Sequence, residues 1–372
     1  MADVLIAGAG PAGASLAIML GRAGLSVDVY DAHRFPREKP CGEGVMPSGV
    51  AVLARLGLLE AVGGRRLSGV RYHGFGLSAE SDFPRVDGAP ATMLTQRRLR
   101  LDEALVAAAR ATPGVRLFED ASVEGAVVEG GRAVGLRVGG ELRRGALVVG
   151  ADGLGSRVRR SLGLDGQTRR GARMGMRAHF RLAAGRPAPD RLEIFVAPGH
   201  ELYTAPLPDG ELLVAALTTG RELGGQPRAA LARWIAETPR LAELLDGAEP
   251  LTDVAGRATV AGEARAGFAP GAVLLGDAAR ATDPLTAGGL AHALVTAERL
   301  AALVPRGLTE TGLDAAMRRF DRERRRLLRG PALLTDGLLA LVGRPVLART
   351  TLRLMRAWPR LMRRLLGVAA GI

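Results

Sequence analysis

A chain of 372 residues exceeds what a single hydrophobic core ordinarily serves, which points to one large α/β domain with a second layer, or to two interleaved domains. The formal charge of +13 invites a nucleic-acid reading, but aromatics make up only 3% of residues and no tract interleaves them with basic side chains, so no nucleic-acid partner is expected. A single cysteine, Cys41, excludes an internal disulfide, and no Cys/His cluster has metal-site spacing, which fits a reducing, cytoplasmic setting without a metal.

The predicted elements begin at once. Residues 4–8 (VLIAG) form a continuous apolar run of strand length, residues 14–24 (ASLAIMLGRAG) follow with helical spacing, and residues 25–31 (LSVDVYD) make the next strand. This is a βαβ unit, the arrangement of a parallel sheet buried on both faces. No basic segment precedes the first strand and no run of eighteen apolar residues occurs, so neither a signal peptide nor a membrane-spanning helix is expected. A short helix is predicted over 49–59, a longer one over 97–111, and an antiparallel meander over 115–149 with turns at its paired glycines. Strands at 191–197, 201–207 and 211–217 signal a second, substrate-side sheet, interrupted by a helix at 229–245. Residues 272–279 (AVLLGDAA) return to the first style, and the remainder is helical and rich in Arg.

GAGPAG, with Gly8, Gly10 and Gly13, lies between strand and helix. The first glycine permits the tight turn, the second lets a pyrophosphate approach the backbone, and the third lets helix and strand pack closely. A diphosphate would rest on the helix N-terminus, where unpaired N–H groups favour anions. Asp31, ending the second strand about 20 residues on, stands where an adenosine ribose would present its hydroxyls. NAD and FAD share that half of the molecule, so the fingerprint alone leaves the choice open.

Three further segments decide it by resemblance. VVGADGLGSRVR (148–159), GAVLLGDAARATDPLTAGGLAHAL (271–294) and RRLRLD (97–102) resemble, in order, motifs of the family of FAD-dependent aromatic hydroxylases, geranylgeranyl reductases and flavin-dependent halogenases. The resemblance covers roughly the first 300 residues. It implies tightly held, non-covalent FAD, with Gly8, Gly10, Pro11, Ala12, Gly13, Asp31, Ala32, Cys41, Gly42, Gly44, Arg98, Asp152, Gly276, Asp277, Pro284, Gly288, Gly289 and Leu290 around it. KPCGEGVMP (39–47) resembles the family's PCGGG loop, with Glu43 in place of a glycine. Cys41 is then a candidate near-flavin residue with no assigned chemistry, and no other catalytic residue is identified. The reductase branch commonly reads PxTGEGI where this chain has PLTAGGL, so Ala287 puts a Cβ where that branch has glycine.

The expected architecture is a Rossmann-type FAD-binding domain with an inserted, mostly antiparallel substrate sheet and a helical C-terminal segment. Its parts are 1–75, 96–170 and 261–304 for FAD, 76–95 and 171–260 for substrate, and 305–372 for the final helices. Monooxygenation is the leading expectation for the chemistry: NAD(P)H as transient reductant, O₂ as co-substrate, and a flavin hydroperoxide that hydroxylates or epoxidises a hydrophobic aromatic or polyketide-like molecule of secondary metabolism. Phe195, Tyr203 and Pro206 are the substrate candidates. Reduction of a geranylgeranyl or other prenyl double bond is the alternative. It is weakened because the stretch ELYTAPLPDG (201–210) keeps Tyr203 and Pro208 of the reductases' YxWxFP motif but has Ala205 at the tryptophan. Halogenation comes third, for want of the WxWxIP motif and its lysine.

At the C-terminus, Arg349, Arg353, Arg356, Arg360 and Arg363 recur at helical spacing, with Leu354, Trp358, Leu361 and Leu365 roughly opposite. The expected arrangement packs the leucines on the domain, with a kink at Pro359. Peripheral contact with an anionic membrane is the alternative.

Overall fold

The computed structural model of the chain describes every residue except 167, 220–222, 224, 305–307 and 342–343. Strand Ala2–Ala7 pairs in parallel with Val27–Tyr30 on one side and with the end of Glu141–Gly150 on the other. Val115–Phe118 extends the parallel sheet beside Val27–Tyr30, and Ala272–Leu274 extends it beside Glu141–Gly150. Val4, Ile6, Val29, Leu147 and Val273 are fully buried against Leu16, Leu105 and Leu294 of the helices Pro11–Arg22, Arg98–Ala111 and Gly289–Ala301. The unbroken apolar runs are what strands covered on both faces require.

The expected meander is corrected in its first member. Val115–Phe118 is a parallel edge strand, and the antiparallel ladder consists of Val123–Glu129, Arg132–Val138 and Glu141–Gly150. Alternation reports a half-buried strand without naming its neighbour. The ladder's turns sit on Gly130–Gly131 and Gly139–Gly140, all at positive φ, as two-residue hairpins demand.

The second sheet has nine strands, running Arg280–Ala281, Ala255–Glu263, Thr168–Arg181, Glu211–Thr218, His200–Pro206, Leu192–Ala197, Gly69–Gly74 and Leu77–Asp82, with Glu249–Pro250 beside Thr168–Arg181. It is antiparallel except where Leu192–Ala197 meets Gly69–Gly74. A division at 75/76 therefore cuts a hairpin whose first strand already belongs to the substrate sheet, and a division at 170/171 falls inside a strand. The division at 304/305 lies outside the described residues.

One face of this sheet carries Met176, Phe195, Leu202, Leu212 and Val214 and is sealed by Trp234, 1% exposed, from helix Pro227–Ala236. The other face carries Ile194, Tyr203, Ala205, Leu213 and Ala215 and packs toward Met46, Ala287 and Ala291 of the first domain. The single helix expected at 229–245 is two, Pro227–Ala236 and Pro239–Leu244, because Pro239 lacks the N–H a continuing helix needs and opens a new one.

The C-terminal segment departs most from expectation. Trp358 separates helices Pro345–Ala357 and Pro359–Ala370, and the residues that pack inward are Leu352, Met362, Leu366, Ala369 and Ala370. Leu354, Trp358 and Leu361, expected against the domain, are 44%, 60% and 38% exposed. Restarting the helix at Pro359 resets its rotation, so a single 100° wheel over both halves misassigns the inner face. Among the described residues, no helix is long and apolar enough to cross a membrane, and no group of three or more His, Cys, Asp or Glu is placed to hold a metal.

Candidate active site

The three glycines of the fingerprint have separable roles. Gly8 turns the chain at φ +98°, a conformation that favours glycine. A Cβ on Gly13 would overlap the carbonyl oxygen of Gly8, so this position closes helix on strand. A Cβ on Gly10 would meet only Arg37 Nη2, at 3.7 Å, and otherwise project into open space. That space is a cavity between the two domains, walled by Gly10, Pro11 and Ala12 at the uncapped N-terminus of helix Pro11–Arg22.

The cavity wall continues through Lys39, Cys41, Gly42, Glu43, Gly44 and Arg98. Arg98 is buried and forms a bidentate pair with Asp102, 2.8 Å at each contact, and Arg37 Nη2 stands 3.7 Å from the same carboxylate. Arg37 Nε is buried without a hydrogen-bond partner. Burial, and then the like charge of Arg98, push Lys39 below its ordinary value. Three cations around a glycine turn and a helix N-terminus, one of them with an orphaned donor, are a donor set for a diphosphate. Arg37 and Lys39 were not legible as phosphate ligands, since neither sits in the glycine motif.

Opposite lies the second motif. Gly276 and Asp277 line the cavity where Ala272–Leu274 ends, as do Pro284 in the turn Pro284–Thr286 and Gly289 and Leu290 at the start of helix Gly289–Ala301, which has no side-chain cap. Its free N–H groups and dipole favour negative charge there. Ala287 takes the left-handed conformation at φ +51° and puts its Cβ into the wall. Two helix N-termini thus line one cavity and could together hold a dinucleotide. Other expected ligands stand outside the wall. Asp31 accepts from Ala9 N–H at 2.8 Å and His33 N–H at 2.9 Å and so fixes the glycine turn from behind, with Ala32 exposed beyond it. Asp152 accepts from Arg157 N–H at 2.7 Å and Val158 N–H at 3.2 Å, capping helix Arg157–Ser161. Gly288 is the N-cap of Gly289–Ala301.

The loop around Cys41 is tied down by Glu43. This residue holds φ +58° although it has a side chain, and it is buried with its carboxylate fully used. Oε2 lies 2.8 Å from His179 Nε2, and Oε1 accepts from Arg98 N–H at 3.1 Å. His179 Nδ1 lies 3.3 Å from Arg177 Nη1 and 3.1 Å from the Thr252 hydroxyl. Glu43, His179 and Arg177 lock loop to sheet. The motif marked the loop, but nothing in the sequence paired positions 43 and 179. The Glu43 N–H also lies 3.4 Å from Cys41 Sγ.

Of the three substrate candidates, Tyr203 alone lines the cavity. A Cβ on Gly42 would collide with its hydroxyl, so Gly42 is what lets the phenol lie on the loop. Burial, then Cys41 and Glu43, push that phenol well above its usual range. Phe195 is corrected to a core residue, stacked on His73 at 4.9 Å on the sheet's far face. Pro206 is corrected likewise: it is buried at the end of its strand, where its carbonyl accepts from the Thr95 hydroxyl. Side chains alternate faces along a strand, so Ile194 faces inward where Phe195 was expected.

Tyr203, Pro284 and Ala287 also line a second cavity, which lies between the substrate sheet and the C-terminal helices. Tyr72, Leu192 and Ile194 form its sheet wall, and Leu338, Leu352 and Met355 its helical wall. Arg173, bridging Asp283 at 3.0 Å and Glu201 at 3.1 Å, lines it together with Glu201 and Arg344.

The chain matches the FAD binding domain family over residues 1–330. It is 32% identical over 326 residues to a menaquinone reductase of Mycolicibacterium smegmatis, an alignment covering 82% of this chain and 77% of that one. It is 34% identical over 172 residues to the 6-methylpretetramide 4-monooxygenase of Streptomyces rimosus, covering 44% and 41%. In structure it is similar to PqsL of Pseudomonas aeruginosa in complex with 2-aminobenzoylacetate, with a TM-score of 0.80, 23% identity, and coverage of 92% of this chain and 97% of that one.

Proposed function

Since the chain belongs to the FAD binding domain family and is an FAD-dependent oxidoreductase, we propose that it reduces a carbon–carbon double bond in a long isoprenoid chain, of the kind a polyprenyl quinone carries. The observation that carries this reading is the apolar cavity that shares Tyr203, Pro284 and Ala287 with the wall of the dinucleotide cradle and is lined on its other side by the C-terminal helices. A long hydrocarbon chain fits such a channel, and apolar walls reward its removal from water. The menaquinone reductase, alignable over four-fifths of this chain, supports the same substrate class.

FAD, when bound and reduced with NAD(P)H as reductant, would supply the hydride. Gly10, Arg37, Lys39 and Arg98 would hold its diphosphate, and Asp277 with the N-terminus of Gly289–Ala301 its ribityl and ring side. Tyr203, kept protonated by burial, presents a hydroxyl where the two cavities meet, and Cys41 stands in the same wall. These are the proton-bearing groups from which the second carbon of the double bond can be served. The substrate sheet forms the facing wall of the cradle, with Tyr203, Ala215 and Leu217 lining the cavity.

Monooxygenation of a compact aromatic substrate is the second reading, favoured by the half-length match to the 6-methylpretetramide 4-monooxygenase. Oxygen separates the two. FAD-loaded protein is mixed with NADH or NADPH and a polyprenyl quinone, with and without O₂, and the products are weighed by mass spectrometry. Anaerobic turnover with a gain of two mass units is the expected result. A requirement for O₂ with a gain of sixteen would replace this reading by the second.

A further inference from the structure

We propose that helices Pro345–Ala357 and Pro359–Ala370 form a docking surface for an anionic lipid bilayer, set at the mouth of the apolar cavity so that a lipid enters the active site directly from the membrane. The proposal rests on the lipid-substrate reading above and deepens it.

Three observations carry it. After Asp336 the sequence contains no acidic residue, yet it holds Arg344, Arg349, Arg353, Arg356, Arg360, Arg363 and Arg364. Among the described residues, none of these seven has an ion pair, whereas arginines elsewhere in the molecule are repeatedly paired with carboxylates, as at Arg98–Asp102 and Arg55–Glu298. Between them stand large apolar side chains turned to solvent: Val346 at 78%, Trp358 at 60%, Leu347 at 45% and Leu354 at 44%. A soluble surface does not ordinarily gather these. Arginines around exposed aliphatic groups and an indole are the composition of a helix lying in the headgroup region, with the guanidinium groups on lipid phosphates and the apolar tips in the acyl boundary.

The third observation is position. The helix that exposes Val346, Leu347 and Leu354 turns Ala348, Thr351 and Leu352 into the cavity wall, so its outer face and the cavity's far end are two sides of one element. A lipid leaving the bilayer beside this helix meets an apolar lining that leads to Tyr203. Charge complementarity selects the partner, because unpaired arginines call for phosphate and exposed tryptophan and leucine call for acyl chains. A nucleic acid would use the first and leave the second in water.

The test uses FAD-loaded full-length protein and sedimentation with vesicles that contain no quinone. Wild type is expected to pellet with phosphatidylglycerol/phosphatidylcholine vesicles at least tenfold more strongly than with pure phosphatidylcholine, and to be released as salt is raised. The triple variant Leu354→Ser/Trp358→Ser/Leu361→Ser, and separately Arg353→Gln/Arg360→Gln/Arg363→Gln, should each lose tenfold or more in vesicle binding while keeping the wild-type flavin spectrum. With a short, water-soluble prenyl substrate both should turn over at the parental rate, and with vesicle-embedded substrate both should fall. Equal pelleting of wild type and variants overturns the proposal, as does capture by duplex DNA without capture by vesicles. Failure of every prenyl substrate, soluble or embedded, sinks the reductase reading instead, while the vesicle measurement stands on its own.

Discussion

Replacing Glu43 by glycine sets two effects against each other, and their magnitudes decide the sign. Glu43 is held at φ +58°, a left-handed conformation that disfavours a residue with a Cβ by about 1–2 kcal/mol, so glycine relieves strain. The same substitution removes the carboxylate facing His179 at 2.8 Å and Arg98 N–H at 3.1 Å in a fully buried setting. Deleting one partner of such a buried pair destabilises by roughly 3–5 kcal/mol, because the remaining groups keep their desolvation penalty. The expected net loss for Glu43→Gly is therefore about 1–4 kcal/mol. With an unfolding entropy of about 2 cal/mol/K per residue, this lowers Tm by roughly 1–5 °C in a chain of this length. Glu43→Gln keeps an acceptor for one of the two donors and should lose about half as much. Differential scanning calorimetry at matched FAD occupancy measures both. A Glu43→Gly variant that melts at or above the parent would show that strain outweighs the pair, and the account of Glu43 as the tie between loop and sheet would fall.

The other expectations concern glycines, strain and pH. Gly10→Ala should leave the melting temperature of the FAD-free protein unchanged and weaken FAD binding at least tenfold by fluorescence titration, because its Cβ enters only the cavity. Gly13→Ala, whose Cβ overlaps the Gly8 carbonyl, should lower stability itself by at least 1–3 kcal/mol; equal behaviour of the two variants would refute the division of roles. Ala287→Gly relieves a left-handed φ of +51° and should raise the urea midpoint by an amount worth up to about 1 kcal/mol, while a fall would mean the methyl is needed for packing. His292 is pushed down to about 4 by burial and then by Arg280. Between pH about 6.5 and about 4 the unfolded chain therefore binds a proton that the folded one refuses. Stability should fall by as much as about 3 kcal/mol as pH drops through that window and level off below it. Urea midpoints at pH 4 to 7 test this, with His292→Leu flattening the slope.

The sequence by itself determined whatever depends on neighbours along the chain. Gly8, Gly10 and Gly13 are legible because strand, turn and helix are contiguous, and each glycine performs a local steric task. Gly276, Asp277 and Gly289 were legible for the same reason, at the end of one strand and the start of one helix. Tertiary structure decided what depends on which faces meet. Ile194 rather than Phe195 lines the cavity because the sheet presents one parity of side chains to the first domain and seals the other with Trp234, and alternation cannot say which parity is which. Asp152 and Asp31 stand in their motifs as ligands, and it is the fold that shows each carboxylate also accepting from backbone N–H groups outside the cavity wall. Glu43 and His179 are brought together only when the loop closes on the second sheet. At the C-terminus, helix Pro345–Ala357 turns Leu352 inward and Leu354 outward, and Trp358, at the break before Pro359, stands exposed against the expected core face. Local sterics are written in consecutive residues, whereas the pairing of distant faces is settled by the packing of the whole chain.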